Sequence, residues 1–183
     1  MSRQVLTQEL SEILAAHCSQ PQSRRINKDL EYLIEEYPNV RVEFDYKLNI
    51  PIVIVIVGEN EIKMKLKNYF PLKPPEIEIN SQPYINILVF DSNVKHKLLK
   101  DIAGIDCLCC KSLMCESIWF AQSKLKDVVD EVCKNIEIIH DINKYVNNIN
   151  MIEDNSIEYD NDITDDNKKL KNQIILGHKE KIH

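Results

Sequence analysis

Cysteine is the residue type in this 183-residue chain with the most distinctive chemistry, and four of the six cysteines fall within nine residues. These four are Cys107, Cys109, Cys110 and Cys115. An exposed thiolate is a nucleophile, and several thiolates at short spacing can share a zinc ion. A buried cysteine is simply a small apolar residue. The residue types alone leave all three interpretations open.

Cys107 is the best-placed nucleophile of the four. It follows Gly104 at the end of an irregular stretch and precedes the last long helical pattern, where a loop can present a side chain. The spacing C-x-C-C-x4-C lacks the paired C-x2–4-C knuckles that are typical of zinc sites, so we expect no metal. We interpret the other thiols as buried apolar residues: Cys109, Cys110, Cys115 and Cys133.

The elements around the cysteines predict an α+β fold. A helix begins at Ser23, its expected N-cap, and carries one apolar stripe to Tyr37. Four strands follow, the second buried on both faces and the others alternating between apolar and polar residues: 40–46, 51–57, 62–66 and 77–79. Three prolines in residues 70–75 predict a stiff crossing ahead of the fourth strand.

Two further segments complete the prediction. Residues 81–106 lack a clear period and include a basic stretch at 95–100. A structureless segment of this length inside a compact domain is usually either functional or a mistaken assignment. Residues 124–145 form a helix with an apolar stripe: Leu125, Val128, Val129, Val132, Ile136 and Ile139.

Composition narrows the function classes. Hydrophobic residues are 44% and charged residues 28% of the chain, enough apolar material for one domain. The net charge of −6 argues against nucleic acid as a partner, and the longest apolar run, residues 50–57, is too short to span a membrane. No signal-peptide pattern opens the chain. We therefore expect reduced thiols and a cytoplasmic or nuclear location.

The assembled motifs resemble the ubiquitin-conjugating enzyme family. Residues 25–30 (RINKDL) match the R-I-x-K-[ED]-L pattern of its first helix, and residues 70–75 (FPLKPP) match its Y-P-x-x-P-P crossing with Phe for Tyr. Its active-site order of Asn, Gly, Cys-Leu and Trp corresponds to Asn86, Gly104, Cys107-Leu108 and Trp119. Elements agree in order over roughly residues 23–145.

The resemblance implies the fold of that family: an N-terminal helix, a four-stranded antiparallel meander, an active-site loop and C-terminal helices. It implies that Cys107 carries ubiquitin, or a ubiquitin-like modifier, as a thioester from an activating enzyme to a substrate lysine, usually with a ligase. Asn86 would stabilise the oxyanion. No cofactor is implied. The family's partner-binding positions correspond to Arg24, Arg25, Lys28, Leu72, Phe120 and Ala121.

The chain also departs from the family pattern. Tyr84-Ile85 replaces the His-Pro that normally precedes the active-site Asn, and an insertion separates Asn86 from Cys107. Two alternatives follow: a binding or adaptor module with this fold and no catalysis, or a zinc-stabilised domain using the 107–115 cysteines. We expect Trp119 to be a core residue that packs under the active-site loop. The expected organisation is an N-terminal extension over 1–22, the conjugating domain over 23–147 and a flexible acidic tail over 148–183.

Overall fold

The strands form a five-stranded antiparallel sheet, in which each strand pairs with the next along the chain in the order β1-β2-β3-β4-β5. The strands are β1 Val40–Asp45, β2 Ile50–Val57, β3 Asn60–Lys65, β4 Glu76–Ile79 and β5 Gln82–Pro83. This computed structural model describes residues 11–155, and the side chains through residue 148. The predicted α+β class and the meander of four strands are confirmed, and the short β5 extends that meander at its edge.

The chain divides into two compact units, where the sequence predicted one domain. The first comprises Met1–Ile87 with Cys109–Cys133, and the second comprises Leu88–Leu108 with Lys134–His183. Residues 1–10 of the expected N-terminal extension and 156–183 of the expected tail lie outside the described residues.

The sheet of the first unit has one apolar face and one charged face. Val53, Ile62 and Met64 on the apolar face are fully buried. On the other face the register places charged residues of neighbouring strands side by side, and Lys65 donates to Glu78 at 2.5 Å. Ile54 of β2 is also fully buried although it lies on the charged face, whereas Ile52 and Ile56 on that face are half-buried. The prediction that this strand is buried on both faces is therefore confirmed only at its middle.

Two helices precede the sheet, α1 over residues 11–17 and α2 Gln20–Glu36. The predicted stripe is confirmed, since Ile26, Leu30 and Leu33 are buried. The predicted N-cap is wrong. Ser23 lies inside α2 and is buried, because the helix begins one turn earlier with Pro21 in its first turn, where a fixed φ and a missing N–H are tolerated.

Residues 93–103, expected to be irregular, form helix α4 Asn93–Ala103 in the second unit. The Ser92 hydroxyl accepts a hydrogen bond from the Val94 N–H at 3.2 Å, and Gly104 ends the helix with a positive φ of 67° that favours glycine. The apolar side of α4 is buried at Leu98, Leu99 and Ile102. The basic stretch is therefore the outer face of an amphipathic helix.

The remaining elements are the short α3 Tyr84–Ile87, a 3-10 turn at Cys109–Lys111, and α5 Leu125–Asn155. α5 is longer than the predicted 124–145 and buries different faces in its two halves. The first half buries Leu125, Val128, Val129 and Val132 as predicted, whereas the second buries Ile138 and Ile142 instead of Ile136 and Ile139. A single stripe fails here because each half belongs to a different unit.

Candidate functional site

Cys107 lies in the second unit, on the turn that follows α4. The turn is closed by an ion pair of 2.9 Å between Lys100 and Asp106, and this hydrogen bond raises the pKa of the exposed Lys100. Cys107 is half-buried, and the next residue, Leu108, is buried. A helix end on one side and a buried anchor on the other thus fix the backbone that carries this thiol.

Asn86, the predicted oxyanion donor, lies in the first unit on α3. Tyr84 anchors that single turn because it is buried, whereas Ile85 and Asn86 are exposed. The two predicted catalytic residues therefore belong to different compact units, each held beside its own buried neighbour.

The segment that follows Cys107 presents two adjacent thiols. The Sγ atoms of Cys109 and Cys110 are 3.8 Å apart on the 3-10 turn. Cys110 is exposed, and Cys109, Cys115 and Cys133 are half-buried. The prediction that these four cysteines are buried core residues is wrong, because an irregular segment rather than a helix or strand face holds three of them.

The Cys115 thiol lies beside a hydroxyl group that favours its ionised form. The Ser117 hydroxyl lies 3.0 Å from its Sγ, and hydrogen bonding by Ser117 lowers the pKa of the Cys115 thiol. Sequence reasoning did not single out this residue, although a hydroxyl two residues after a cysteine is a recognisable signal.

Glu131 of α5 holds residues 112–113 in place within the first unit. Its carboxylate accepts a hydrogen bond of 2.6 Å from the Ser112 hydroxyl and one of 2.7 Å from the Leu113 N–H. Ser112 is buried. Charge-assisted bonds of this kind fix a loop more firmly than neutral ones. Nothing local in the sequence pairs residue 131 with residues 112–113.

Trp119 joins the proline-rich crossing to the loop that precedes α5. It is buried, as expected of a core residue, and its indole N–H donates a 2.7 Å hydrogen bond to the carbonyl oxygen of Pro71. Each loop then exposes one large apolar side chain directly after its anchored residue. Leu72 is 76% exposed and Phe120 is 69% exposed.

Tyr69 is a further exposed aromatic residue that sequence reasoning missed. It is 66% exposed at the start of the proline-rich crossing, and the ammonium of Lys73 lies 5.9 Å from the centre of its ring. Lys73 also pairs with Glu116 at 3.1 Å. The sequence Tyr69-Phe70 offered two aromatic residues, and the structure buries Phe70 while exposing Tyr69.

The basic residues at the start of α2 have different roles. Arg24 and Lys28 are exposed, as is Ala121 in the loop after Trp119. Arg25 is instead half-buried, where it pairs with Asp29 at 3.0 Å and donates to the carbonyl oxygen of Ser123 at 2.7 Å. Of the three expected partner-binding positions on α2, Arg24 and Lys28 therefore lie on the surface, while Arg25 joins two parts of the first unit.

Comparisons with family models, curated proteins and solved structures found no match to this chain in any of the three. Among the described helices, none has the length and apolar content that a membrane span requires.

Proposed function

We propose that this chain is a ubiquitin-conjugating enzyme of divergent sequence. Cys107 would accept ubiquitin or a ubiquitin-like modifier from an activating enzyme and pass it to a substrate lysine, usually with a ligase. We also propose that the fold is that of a ubiquitin-conjugating-like domain. It is supported by an antiparallel meander that follows α2, in the order that the motifs of residues 25–30 and 70–75 imply.

The observation that carries the proposal is the pair of loops tied by Trp119 and Pro71. Each loop exposes an apolar side chain, Leu72 or Phe120, of the kind that anchors a protein partner. Anchoring both loops to one hydrogen bond keeps the two side chains in fixed positions, which lowers the entropy lost on binding. These are the positions where the resemblance implies ligase and activating-enzyme contacts.

The chemistry is two consecutive acyl transfers at one sulfur atom. The thiolate of Cys107 would attack the thioester carbonyl of the modifier on the activating enzyme and expel that enzyme's thiolate. A lysine amine would then attack the new thioester, forming an amide bond, releasing the Cys107 thiolate and losing a proton to solvent or to a base. The exposed amide of Asn86 is the proposed donor to the oxyanion, and losing such a donor costs about 10²–10³ in rate.

The test is a charging reaction with activating enzyme, ATP and ubiquitin, analysed on a non-reducing gel. We expect one added modifier that a thiol reductant removes and that Cys107→Ala abolishes. Cys107→Ser should give an oxygen ester that survives the reductant. Cys110→Ala is the matched control, because Cys110 is an exposed thiol three residues away and should still allow charging.

Charging that survives Cys107→Ala but is lost with another cysteine would contradict the assignment of the nucleophile. Absence of charging with every modifier in a panel, each with its own activating enzyme, would favour the adaptor module. That module would use the exposed Leu72 and Phe120 without any acyl transfer.

A zinc-stabilised domain is the second candidate, and one distance favours it. Two thiolates on one tetrahedral zinc ion, each about 2.3 Å from the metal, lie roughly 3.8 Å apart. The sulfurs of Cys109 and Cys110 have that separation, 3.8 Å. Metal analysis of the purified chain together with unfolding by a chelator would support this candidate. A metal-free protein of unchanged stability would exclude it.

A further inference from the structure

β1 forms an open edge of the sheet. It is the first strand in the order, and within the part of the chain that the structure describes it pairs only with β2. An edge strand presents unpaired backbone N–H and C=O groups, which can pair with a strand from another molecule. Its sequence, Val-Arg-Val-Glu-Phe-Asp, alternates apolar residues with charges of opposite sign.

The register shows which backbone groups face that edge. The Ile56 N–H donates to the carbonyl of Asn39, so Asn39 lies at a hydrogen-bonded position toward β2. Such positions alternate along an antiparallel pair, so Val40, Val42 and Phe44 turn their N–H and C=O groups outward. The position of Phe44 is consistent with this alternation, because Phe44 lies opposite Pro51, which has no N–H to donate to it. Beyond the strand ladder, the described residues contain no backbone hydrogen bond from these three.

We propose that β1 pairs antiparallel with β1 of a second copy of this chain, about a two-fold axis at Val42. Val42 then lies opposite its own counterpart, and Val40 lies opposite Phe44 of the second copy. Arg41 lies opposite Glu43 of the second copy, and by symmetry this pair occurs twice. The two sheets would continue into one another across the edge.

The charges favour this register over registers that are shifted by one or two residues. A shift by two residues places Arg41 against Arg41 or Glu43 against Glu43, and like charges directly opposite are destabilising. A shift by one residue places charged side chains opposite apolar ones. In the two-fold register the charged pair occupies a non-hydrogen-bonded position, where facing side chains are closest. Arg41 and Glu43 are both exposed. Within its own chain Arg41 pairs with Glu61 at 2.8 Å and with Glu43 at 3.4 Å, so the pairing across the two-fold axis would extend this cluster of charges.

Within residues 11–155 the apolar side of β1 is only partly covered, with the His17 ring of α1 4.5 Å from the ring of Phe44. Val40, Val42 and Phe44 are only half-buried, whereas Val53 and Val55 on the adjacent β2 are fully buried. Pairing with a second copy would cover the remaining apolar surface and bring together Val40 and Phe44, a favourable β-branched and aromatic combination. The dimer would form whether or not Cys107 carries a modifier.

The experiment is sedimentation of the full chain over a concentration series extending to the millimolar range. We expect a monomer–dimer equilibrium that Arg41→Glu or Glu43→Arg alone weakens by about tenfold, because each creates two like-charge pairs. The double variant Arg41→Glu/Glu43→Arg restores opposite charges and should recover the dimer. That recovery separates the intermolecular pairing from any effect of Arg41 on its own chain.

Val42→Pro provides the backbone test. Val42 uses its N–H only toward the edge, so proline should leave the sheet folded, as judged by circular dichroism, and remove the dimer. Val42→Thr keeps both the N–H and the branched side chain and should retain the dimer. A chain that stays monomeric over the whole concentration series would overturn the proposal. A dimer that neither Val42→Pro nor the charge reversals weaken would also overturn it.

Discussion

The guanidinium of Arg25 donates a 2.7 Å hydrogen bond to the carbonyl oxygen of Ser123, 98 residues further along the chain. The same guanidinium pairs with the buried Asp29, whose carboxylate also accepts the backbone N–H of Leu125, the first residue of α5. One arginine and one aspartate on α2 therefore position the loop that exposes Phe120. A residue that resembles a partner contact in the sequence is a structural link in the fold.

Asp29 should make stability depend on pH in a defined direction. Burial raises the pKa of Asp29 above its ordinary value, and Arg25 only partly opposes this. The folded protein therefore binds this proton more tightly than the unfolded chain, and the stability from this group is lost as pH rises through the folded pKa. Asp29→Asn cannot titrate. We expect the free energy of unfolding of the wild type, relative to Asp29→Asn, to decrease as pH rises from about 4.

Urea unfolding of the two proteins at a series of pH values measures this difference. Glu31→Gln is the matched control, because Glu31 is an exposed carboxylate on the same helix and should give a nearly constant difference. A wild type that gains stability relative to Asp29→Asn over the same range would contradict the prediction.

Trp119→Phe should destabilise the first unit while keeping most of its apolar packing. The substitution removes the indole N–H and leaves the Pro71 carbonyl without its 2.7 Å bond. We expect the free energy of unfolding to fall by about 1–3 kcal/mol. Circular dichroism is the appropriate signal, since the only tryptophan has been removed. Trp119→Ala should cost more, about 3–5 kcal/mol, because it also leaves a cavity. A Trp119→Phe variant as stable as the wild type would show that the hydrogen bond contributes nothing.

Leu72→Ala combined with Phe120→Ala tests the proposed partner surface. Both side chains are largely exposed, so the double variant should change the free energy of unfolding by less than about 1 kcal/mol. We expect charging at Cys107 to persist and ligase-stimulated discharge to fall at least about tenfold. The readout uses a ligase that accelerates discharge of the wild type. Leu48→Ala, at a 60% exposed residue between β1 and β2, is the matched control and should behave as the wild type does.

Cys115 should react with an alkylating agent at lower pH than Cys18. Hydrogen bonding from Ser117 lowers the pKa of the Cys115 thiol, whereas burial raises the pKa of Cys18. Because the thiolate is the reactive form, the rate profile for Cys115 should rise earlier on the pH axis. Peptide mass spectrometry after timed iodoacetamide treatment resolves the two sites. Ser117→Ala should move the Cys115 profile to higher pH, and an unchanged profile would rule out the role of the hydroxyl.

Local periodicity was sufficient to predict the α+β class, the strands β1 to β4 and the buried stripe of α2. A strand period of two and a helix period of 3.6 are local properties, since they require only that one side of an element be apolar. Helix α4 was also present in the sequence. Val94, Leu98, Leu99 and Ile102 have helical spacing between a capping serine and Gly104, but the lysines among them favoured the interpretation as a basic loop.

Tertiary structure alone decided which of the chemically similar side chains are exposed. Tyr69 and Phe70 are adjacent aromatic residues, and only the packing of Phe70 near Trp119 determines that Tyr69 faces solvent. Arg24 and Arg25 are adjacent arginines, and only the position of Ser123 makes Arg25 internal. Such choices depend on contacts between segments far apart in sequence, whose energies no local pattern records. The sequence by itself determined the strands β1 to β4, the buried stripe of α2 and the choice of a candidate nucleophile, and the packing of distant loops decided which side chains are exposed.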